Sequence, residues 1–430
     1  MEYKNRVADH VLSDRLEAVG AVLIEGPKWC GKTTTALQQA KSVLRLQDVD
    51  KRDEYLATAA TRPSNLLSGD VPRLIDEWQD APVLWDAVRI KVDERSIPGQ
   101  FILTGSNSVD KKKIMHSGTG RISRMEMLPM SLWESGESNG SVSLKQLFDH
   151  PNDDIEGIQE HFSVNDLIYA ACRGGWPASL NVSGEKAQLQ IAKTYLNSVY
   201  KDDISRIDGV ARNPKLALQI LRSYARNIST LAKTTSMLAD VTASGNLDCT
   251  RPTFDNYVEA LEKLFVIQDI DAWCPAIRSK SAIRNGPKRC FCDPSISVAA
   301  LNLSPEALQV QLKTFGFIFE QMCIRDLKAY SYDYFSSVGY YHDRYGLEAD
   351  VVLHLDDGRY ALIECKLGSK EIEDGATHLC ELQHLISEHN KMEKQNPIQE
   401  PTLKLILTGG QYAYRRNDGV FVVPLACLRP

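Results

Sequence analysis

Residues Gly26-Pro27-Lys28-Trp29-Cys30-Gly31-Lys32-Thr33 set two glycines around four free positions, with a lysine and a threonine directly after them. That spacing lets consecutive backbone N–H groups curl around a phosphate, while Lys32 reaches terminal oxygens and Thr33 offers a hydroxyl to Mg²⁺. From Thr33 through Thr34 to Ala40 the chain is helix-compatible, so the loop would stand at a helix N-terminus, where anions are favoured. Ala21-Val22-Leu23-Ile24 just before it is an apolar run of buried-strand length. A second short strand, Arg73-Leu74-Ile75, ends in Asp76-Glu77. Two adjacent carboxylates can divide the work: Asp76 would hold Mg²⁺ through water, and Glu77 would polarise an attacking water. The expectation is ATP with Mg²⁺. A chance Gly/Lys turn would not bring strand, helix and acid pair into agreement.

Gln100-Phe101-Ile102-Leu103-Thr104-Gly105-Ser106-Asn107 is a further strand ending in a polar cluster. With this strand between the two motifs, Thr104, Ser106 and Asn107 would sit beside the terminal phosphate; the alternative is plain turn chemistry. Arg121, after Gly120, and Arg124 supply cations suited to transition-state charge, in cis or from a neighbouring copy. Solvated surface arginines are the alternative reading. Cys30 is read as a free loop position.

Near the C-terminus, Glu348–Leu355 and Arg359–Lys366 flank Asp356-Asp357-Gly358 and read as a β-hairpin. A two-residue Asp357-Gly358 turn would set Asp350 opposite Cys365. A three-residue loop with Gly358 in the left-handed position sets Asp350 opposite Glu364 and Glu348 opposite Lys366. Glu348, Asp350, Glu364 and Lys366 would then share one face. Such an acid cluster with a lysine is what a Mg²⁺-dependent phosphodiesterase uses to bind metal and activate water. The alternative is a polar sheet face with cross-strand ion pairs. The arrangement resembles the PD-(D/E)xK nuclease core. That resemblance implies Asp350 and Glu364 as metal ligands, Lys366 beside the water, and Glu320 as the extra acid some members carry.

The elements that must position these groups follow from periodicity. In the first ~135 residues strands alternate with helical stretches, the pattern of an α/β sheet. Candidate strands are Ala21–Glu25, Ser42–Leu46, Arg73–Asp76, Gln100–Thr104 and Ile122–Met127. A Ser/Gly/Asn/Asp-rich stretch runs from Gly136 to Asp154, with Asp149–Asp154 read as the linker, followed by helix from Val164 to Tyr200 broken at Arg173–Pro177. Helices Thr230–Leu238 and Thr253–Leu264 and a strand Phe265–Ile270 resemble a winged helix-turn-helix. Asp255, Glu259 and Glu262 on the second helix would repel DNA phosphates, which favours a structural or protein-docking role. DNA contact through the Arg278, Lys280, Arg284, Lys288, Arg289 loop is the rival.

The 430 residues suit about two to three domains. A net charge of −6 argues against wholesale coating of nucleic acid. No apolar run is long enough to span a membrane and no secretory signal opens the chain, so a cytoplasmic protein is expected. The ten cysteines lack zinc spacing and read as reduced thiols.

The Gly26–Thr33, Ile75–Gln79, Ile102–Ser106, Gly120-Arg121 and Leu128–Leu132 segments resemble bacterial and archaeal AAA-type ATPases that carry a C-terminal domain of unknown function. The likeness continues into Phe315–Glu320 and Gly346–Asp350. It implies an α/β chain: an AAA-like P-loop core with a parallel sheet over 1–135, and a helical linker over 136–200. A winged-helix middle over 201–300 and an α/β nuclease-like domain over 301–430 would follow. It also implies a homo-oligomer in which a neighbour supplies an arginine, with DNA or protein partners.

Overall fold

The strands β1 (Ala21–Glu25), β2 (Ser42–Arg45), β3 (Arg73–Asp76), β4 (Phe101–Gly105) and β5 (Ile122–Glu126) make an all-parallel sheet in the order β2-β3-β4-β1-β5. Each lies within a residue of where the apolar runs place it. Helices cover both faces of such a sheet, which is why β1 and β4 read as unbroken apolar runs and are buried almost throughout. On one face Leu23, Ile75, Phe101 and Leu103 pack with Leu84, Trp85 and Val88 of the helix Val83–Arg95. Because β4 pairs with both β1 and β3, Thr104 stands beside Ile24 on one side and follows the Leu103–Ile75 pair on the other.

The computed structural model describes residues 3–106, 116–243, 248–273, 286–332, 336–395 and 397–430; Asn107, Arg278, Lys280 and Arg284 lie outside the described residues. The chain divides into two compact units. One comprises Asn5–Pro129 with Ala260–Val266; the other comprises Met1–Lys4, Met130–Glu259 and Ile267–Pro430.

The second unit carries β6 (Val142–Ser143), β7 (Gly157–Ile158), β8 (Ser337–His342), β9 (Glu348–His354), β10 (Tyr360–Lys366), β11 (Leu403–Thr408), β12 (Tyr412–Arg415), β13 (Phe421–Pro424) and β14 (Leu428–Arg429). Seven of these form a mixed sheet in the order β7-β12-β13-β11-β10-β9-β8, and β6 pairs with β14. Val351, Leu353 and Ile363 pack in a core with Phe315, Phe319 and Met322 of the helix Leu312–Tyr330. Val352, Leu362 and Ile406 pack in another with Ala376 and Leu379 of the helix Ile372–Met392. The stretch expected as a linker is instead built into this unit, since β7 extends the large sheet and β6 pairs with the extreme C-terminus.

In the middle block, helices Pro214–Arg226, Thr234–Thr242 and Arg251–Lys263 follow one another. The strand expected over Phe265–Ile270 is reduced to two isolated bridges, Ile267 to Phe291 and Ile270 to Lys288. Asp269 between them turns its carboxylate onto the Cys290 N–H and the Arg289 guanidinium.

A buried ion triad ties the elements of the second unit together. Arg325 lies 3.0 Å from Asp293 and 2.7 Å from Asp326, and all three are sealed from water. Asp293 also accepts the Gly175 N–H, and Asp326 accepts the Leu132 N–H. Arg325→Met would leave two buried carboxylates uncompensated, a loss of about 3–5 kcal/mol. Urea unfolding followed by a probe in this unit should show that loss; a change below about 1 kcal/mol would mean the triad is not what holds these segments.

Candidate functional site

The phosphate loop begins where β1 ends. Gly26 has φ 148°, and a Cβ there would stand 2.2 Å from the Met127 carbonyl oxygen, so only glycine fits. Gly31, at φ 109°, caps the helix Lys32–Gln39. Lys32 is buried and donates to its own loop, 2.9 Å to the Gly26 oxygen and 2.8 Å to the Pro27 oxygen. An ammonium parked on its own loop's carbonyls is in place to exchange them for phosphate oxygens. Lys28 is half-buried, Trp29 is 46% exposed with a positive φ, and Thr34 is exposed on the helix.

Cys30 departs from the reading as a free loop position. It is fully buried and its thiol donates to the Met127 oxygen, because the loop packs onto the segment after β5. Arg6, which the sequence reading missed, bolts these two segments together. Its guanidinium donates at 2.8 Å to the Cys30 oxygen and at 2.8 Å to the Leu128 oxygen. No motif marks an arginine 20 residues ahead of the loop, so only the structure reveals it.

Thr33, Asp76 and Thr104 converge. The Thr33 and Thr104 hydroxyls each donate at 2.7 Å to the same oxygen of Asp76. Glu77 follows in the left-handed conformation, φ 57° and ψ 50°, a strained choice for a side chain with a Cβ. Its N–H donates to Thr104 at 3.2 Å, and its carboxylate accepts from Ser106 at 3.1 Å and from Gln79. Gln79 is a second residue the sequence reading passed over. Thr33 with Asp76 fits a magnesium site by its chemistry: two hard oxygen donors side by side at the foot of the phosphate loop.

Arg121 does not join this group. The register pairs Ala21 with Ile122, so Arg121 stands at the N-terminal end of the parallel strands while the phosphate loop leaves their C-terminal end. Four residues of strand separate those ends, about 13 Å. Arg121 instead pairs with Asp93 at 2.8 Å, and Arg124 lies 3.5 Å from Glu25 and over the Trp85 ring. The reading in cis is thereby lost for Arg121.

In the second unit the hairpin adopts the three-residue loop. His354 pairs with Tyr360 and Val351 with Ile363, Leu355 donates to the Arg359 oxygen, and Gly358 takes φ 88°. The next step sets Asp350 across from Glu364. Lys366 Nζ lies 2.5 Å from Glu364 Oε2 and 3.7 Å from Asp350 Oδ2, and the Cys365 N–H donates to Asp350 Oδ2 at 2.9 Å. Glu320 and Glu348 line the same cleft, of about 1180 Å³, with Asp350 and Lys366. Glu348 pairs across to His342 of β8.

Two further groups enter from outside the hairpin. His378 Nδ1, from the helix Ile372–Met392, lies 3.7 Å from Glu364 Oε1. Lys288 Nζ lies 2.5 Å from Glu320 Oε1, 2.8 Å from the Asp350 carbonyl oxygen and 3.8 Å from Asp350 Oδ1. Lys288 and Arg289 are thus buried and not part of an exposed basic face, because each is drawn in by a buried carboxylate. Among the described residues no three His, Cys, Asp or Glu side chains are arranged to hold a metal ion.

Burial dominates the electrostatics. It pushes Glu364 up to about 9, with the Asp350 charge adding to the rise, and Glu320 up to about 8 against the pull of Lys288. Burial also works on Asp350, but Lys288 and Lys366 together hold it below the ordinary carboxylate value.

Residues 19–135 match the family model of an AAA domain. Residues 164–307 match a domain of unknown function (DUF8612), and residues 315–428 match another (DUF4143). The chain is 24% identical over 332 residues to uncharacterized protein Mb2031c of Mycobacterium bovis and to uncharacterized protein Rv2008c of Mycobacterium tuberculosis. Each alignment covers 75% of this chain and 66% of the relative, so the chain spans just under two thirds of the length of these curated relatives. Among solved structures, the Walker-type ATPase PABY2304 of Pyrococcus abyssi aligns over 69% of this chain and 96% of its own, at 14% identity and a TM-score of 0.41. A DNA replication initiation factor aligns over 61% and 89%, at 12% identity and a TM-score of 0.25. The AAA match covers the phosphate loop, Asp76 and Glu77, and supports nucleotide binding at the level of the family. No helix among the described residues is long and apolar enough to cross a membrane.

The raised Glu364 means that the folded unit keeps a proton which an ordinary glutamate releases near 4.5. The stability tied to that proton is complete below about 4.5 and is lost as pH rises through about 9. Between those values stability should fall by up to about 1.4 kcal/mol per pH unit. Urea midpoints at pH 6, 7.5 and 9 should show this fall in the wild type and a flatter profile in Glu364→Gln. An unchanged slope would put the proton on another group.

Proposed function

We propose that the chain is a Mg²⁺-dependent ATPase whose nucleotide state controls a nuclease-like C-terminal module, with DNA as the expected substrate of that module. The observation that carries the ATPase reading is the single Asp76 oxygen accepting from both Thr33 and Thr104, which joins the phosphate loop, β3 and β4 at one point. Lys32 holds the phosphates, and Thr33 and Asp76 hold the metal ion. Magnesium, when bound, supplies charge neutralisation on the phosphate oxygens. Glu77 polarises the attacking water; Ser106 and Gln79 orient its carboxylate until then. Thr104 fixes the backbone of Glu77 and senses the same carboxylate that holds the metal. Arg121, remote from its own phosphate loop, acts on nucleotide in a neighbouring copy, so the active form is an oligomer.

Lys32→Ala should lose ATP binding, whereas Glu77→Gln should bind ATP and turn over about 10²-fold slower or worse, read by phosphate release. Mixing Lys32→Ala with Arg121→Ala protein should restore part of the lost turnover. Full turnover in Glu77→Gln places the base elsewhere, and a strictly monomeric, fully active wild type removes the role of Arg121.

For the second unit, the convergence of Asp350, Glu364 and Lys366 supports the nuclease-like reading. A second reading is favoured by one observation, the Lys288 ammonium inside the carboxylate cluster. It describes a nucleotide-gated scaffold that binds DNA or protein partners and cuts neither. Incubation with Mg²⁺ or Mn²⁺ and single- and double-stranded nucleic acids separates the two. Cleavage abolished by Asp350→Asn or Glu364→Gln, with ATP hydrolysis kept, supports the first reading. Binding without cleavage under either metal supports the second.

A further inference from the structure

Lys288 reaches the hairpin from a different part of the fold. It sits on the segment Gly286–Cys292, bridged to Ile270 and followed by Arg289, whose N–H donates to the Thr230 oxygen and whose carbonyl accepts from Ser229. Its ammonium is 7% exposed and touches both Glu320 and Asp350. Asp350 therefore lies between two cations: Oδ1 faces Lys288 at 3.8 Å and Oδ2 faces Lys366 at 3.7 Å. A divalent ion on Asp350 needs at least one of those oxygens, along with donors such as Glu320 or Glu364. As built, the cluster does not fit a metal ion, since the oxygens that would turn toward it are turned toward ammonium groups. The third acid has its own partners. Glu364 meets Lys366 at 2.5 Å on Oε2 and faces His378 Nδ1 at 3.7 Å on Oε1.

We infer that Lys288 is a tethered cation that competes with divalent metal ions for the Asp350–Glu320 carboxylates. While it is in place, the cluster is neutralised from within the chain. When it withdraws, Asp350 and Glu320, with Glu364 beside them, become a divalent-cation site of hard oxygen donors, the type that takes Mg²⁺ or Mn²⁺. Two like-charged cations cannot share so small a space, so occupancy by one excludes the other. Lys288 comes from the segment bridged to Ile270 and not from the hairpin, so the charge that fills the site is supplied by a separate stretch of the same unit. The identity of the site rests on the nuclease-like reading of the hairpin, but the competition does not require that anything be cut.

The test is a calorimetric titration of the nucleotide-free full chain with MnCl₂. Lys288→Met, which keeps the length of the side chain and removes its charge, should bind one Mn²⁺ at least tenfold more tightly than the wild type. Adding Asp350→Asn should remove that binding. Mn²⁺ should also raise the melting temperature of Lys288→Met while leaving the wild type unmoved, because the ion replaces the missing charge. The inference is overturned if Lys288→Met binds no more tightly than the wild type, or if the wild type already binds as tightly at an Asp350-dependent site. It is equally overturned if Lys288→Met stays unfolded with Mn²⁺ present. Tight binding in Lys288→Met without cleavage of any nucleic acid would leave the competition standing and remove only the nuclease reading.

Discussion

Buried charge, and how it is matched, is the constraint on which the second unit depends. Arg325 is held where water does not reach, and its guanidinium is shared by Asp293 and Asp326. Each carboxylate also accepts a backbone amide from another segment: Asp326 takes the Leu132 N–H on its other oxygen, and Asp293 takes the Gly175 N–H on the oxygen that meets Arg325 while its second oxygen accepts from Ser295. Apolar packing alone would tolerate small slides between these segments. A fully desolvated ion pair does not, because a displaced partner leaves a charge in low dielectric with nothing to offset it. The helix Leu312–Tyr330 is fixed by this means, and Glu320 on the same helix is placed over the hairpin as a consequence.

The phosphate loop obeys a different constraint, that of backbone carbonyls in need of donors. Arg6 supplies two of them, to Cys30 and Leu128, and Lys32 supplies two more, to Gly26 and Pro27. The first pair ties the loop to the segment after β5. The second pair is made by Lys32, whose ammonium rests on the carbonyls of its own loop. A loop that is rigid at one end and provisionally satisfied at the other is pre-organised without being locked.

Glu77 and Asp76 show how two neighbouring carboxylates acquire different partners. Asp76 receives two hydroxyls on one oxygen. Glu77 is swung by its left-handed backbone toward Ser106 and Gln79. The same backbone strain that makes this residue unusual separates the two acids by partner, so that one meets Thr33 and Thr104 and the other meets Ser106 and Gln79.

The sequence by itself determined the five strands of the first sheet, the phosphate loop with its glycines, the acid pair, and the hairpin with its choice between two registers. All of these are local: strand runs, turn residues and periodicity are set by neighbours a few positions apart. It missed the parts played by Arg6, Gln79 and Lys288, and it placed Lys288 and Arg289 on a basic loop offered as a DNA contact. Tertiary structure alone decided these points. Lys288 reaches residues 32 and 62 positions away, and Arg6 reaches a carbonyl 122 positions away. It also chose the three-residue hairpin loop, put Arg121 at the far end of its strand, and folded the supposed linker into the large sheet. No local pattern encodes which buried carboxylate a distant lysine will meet. That choice is made only when packing removes water and leaves each charge to find its partner.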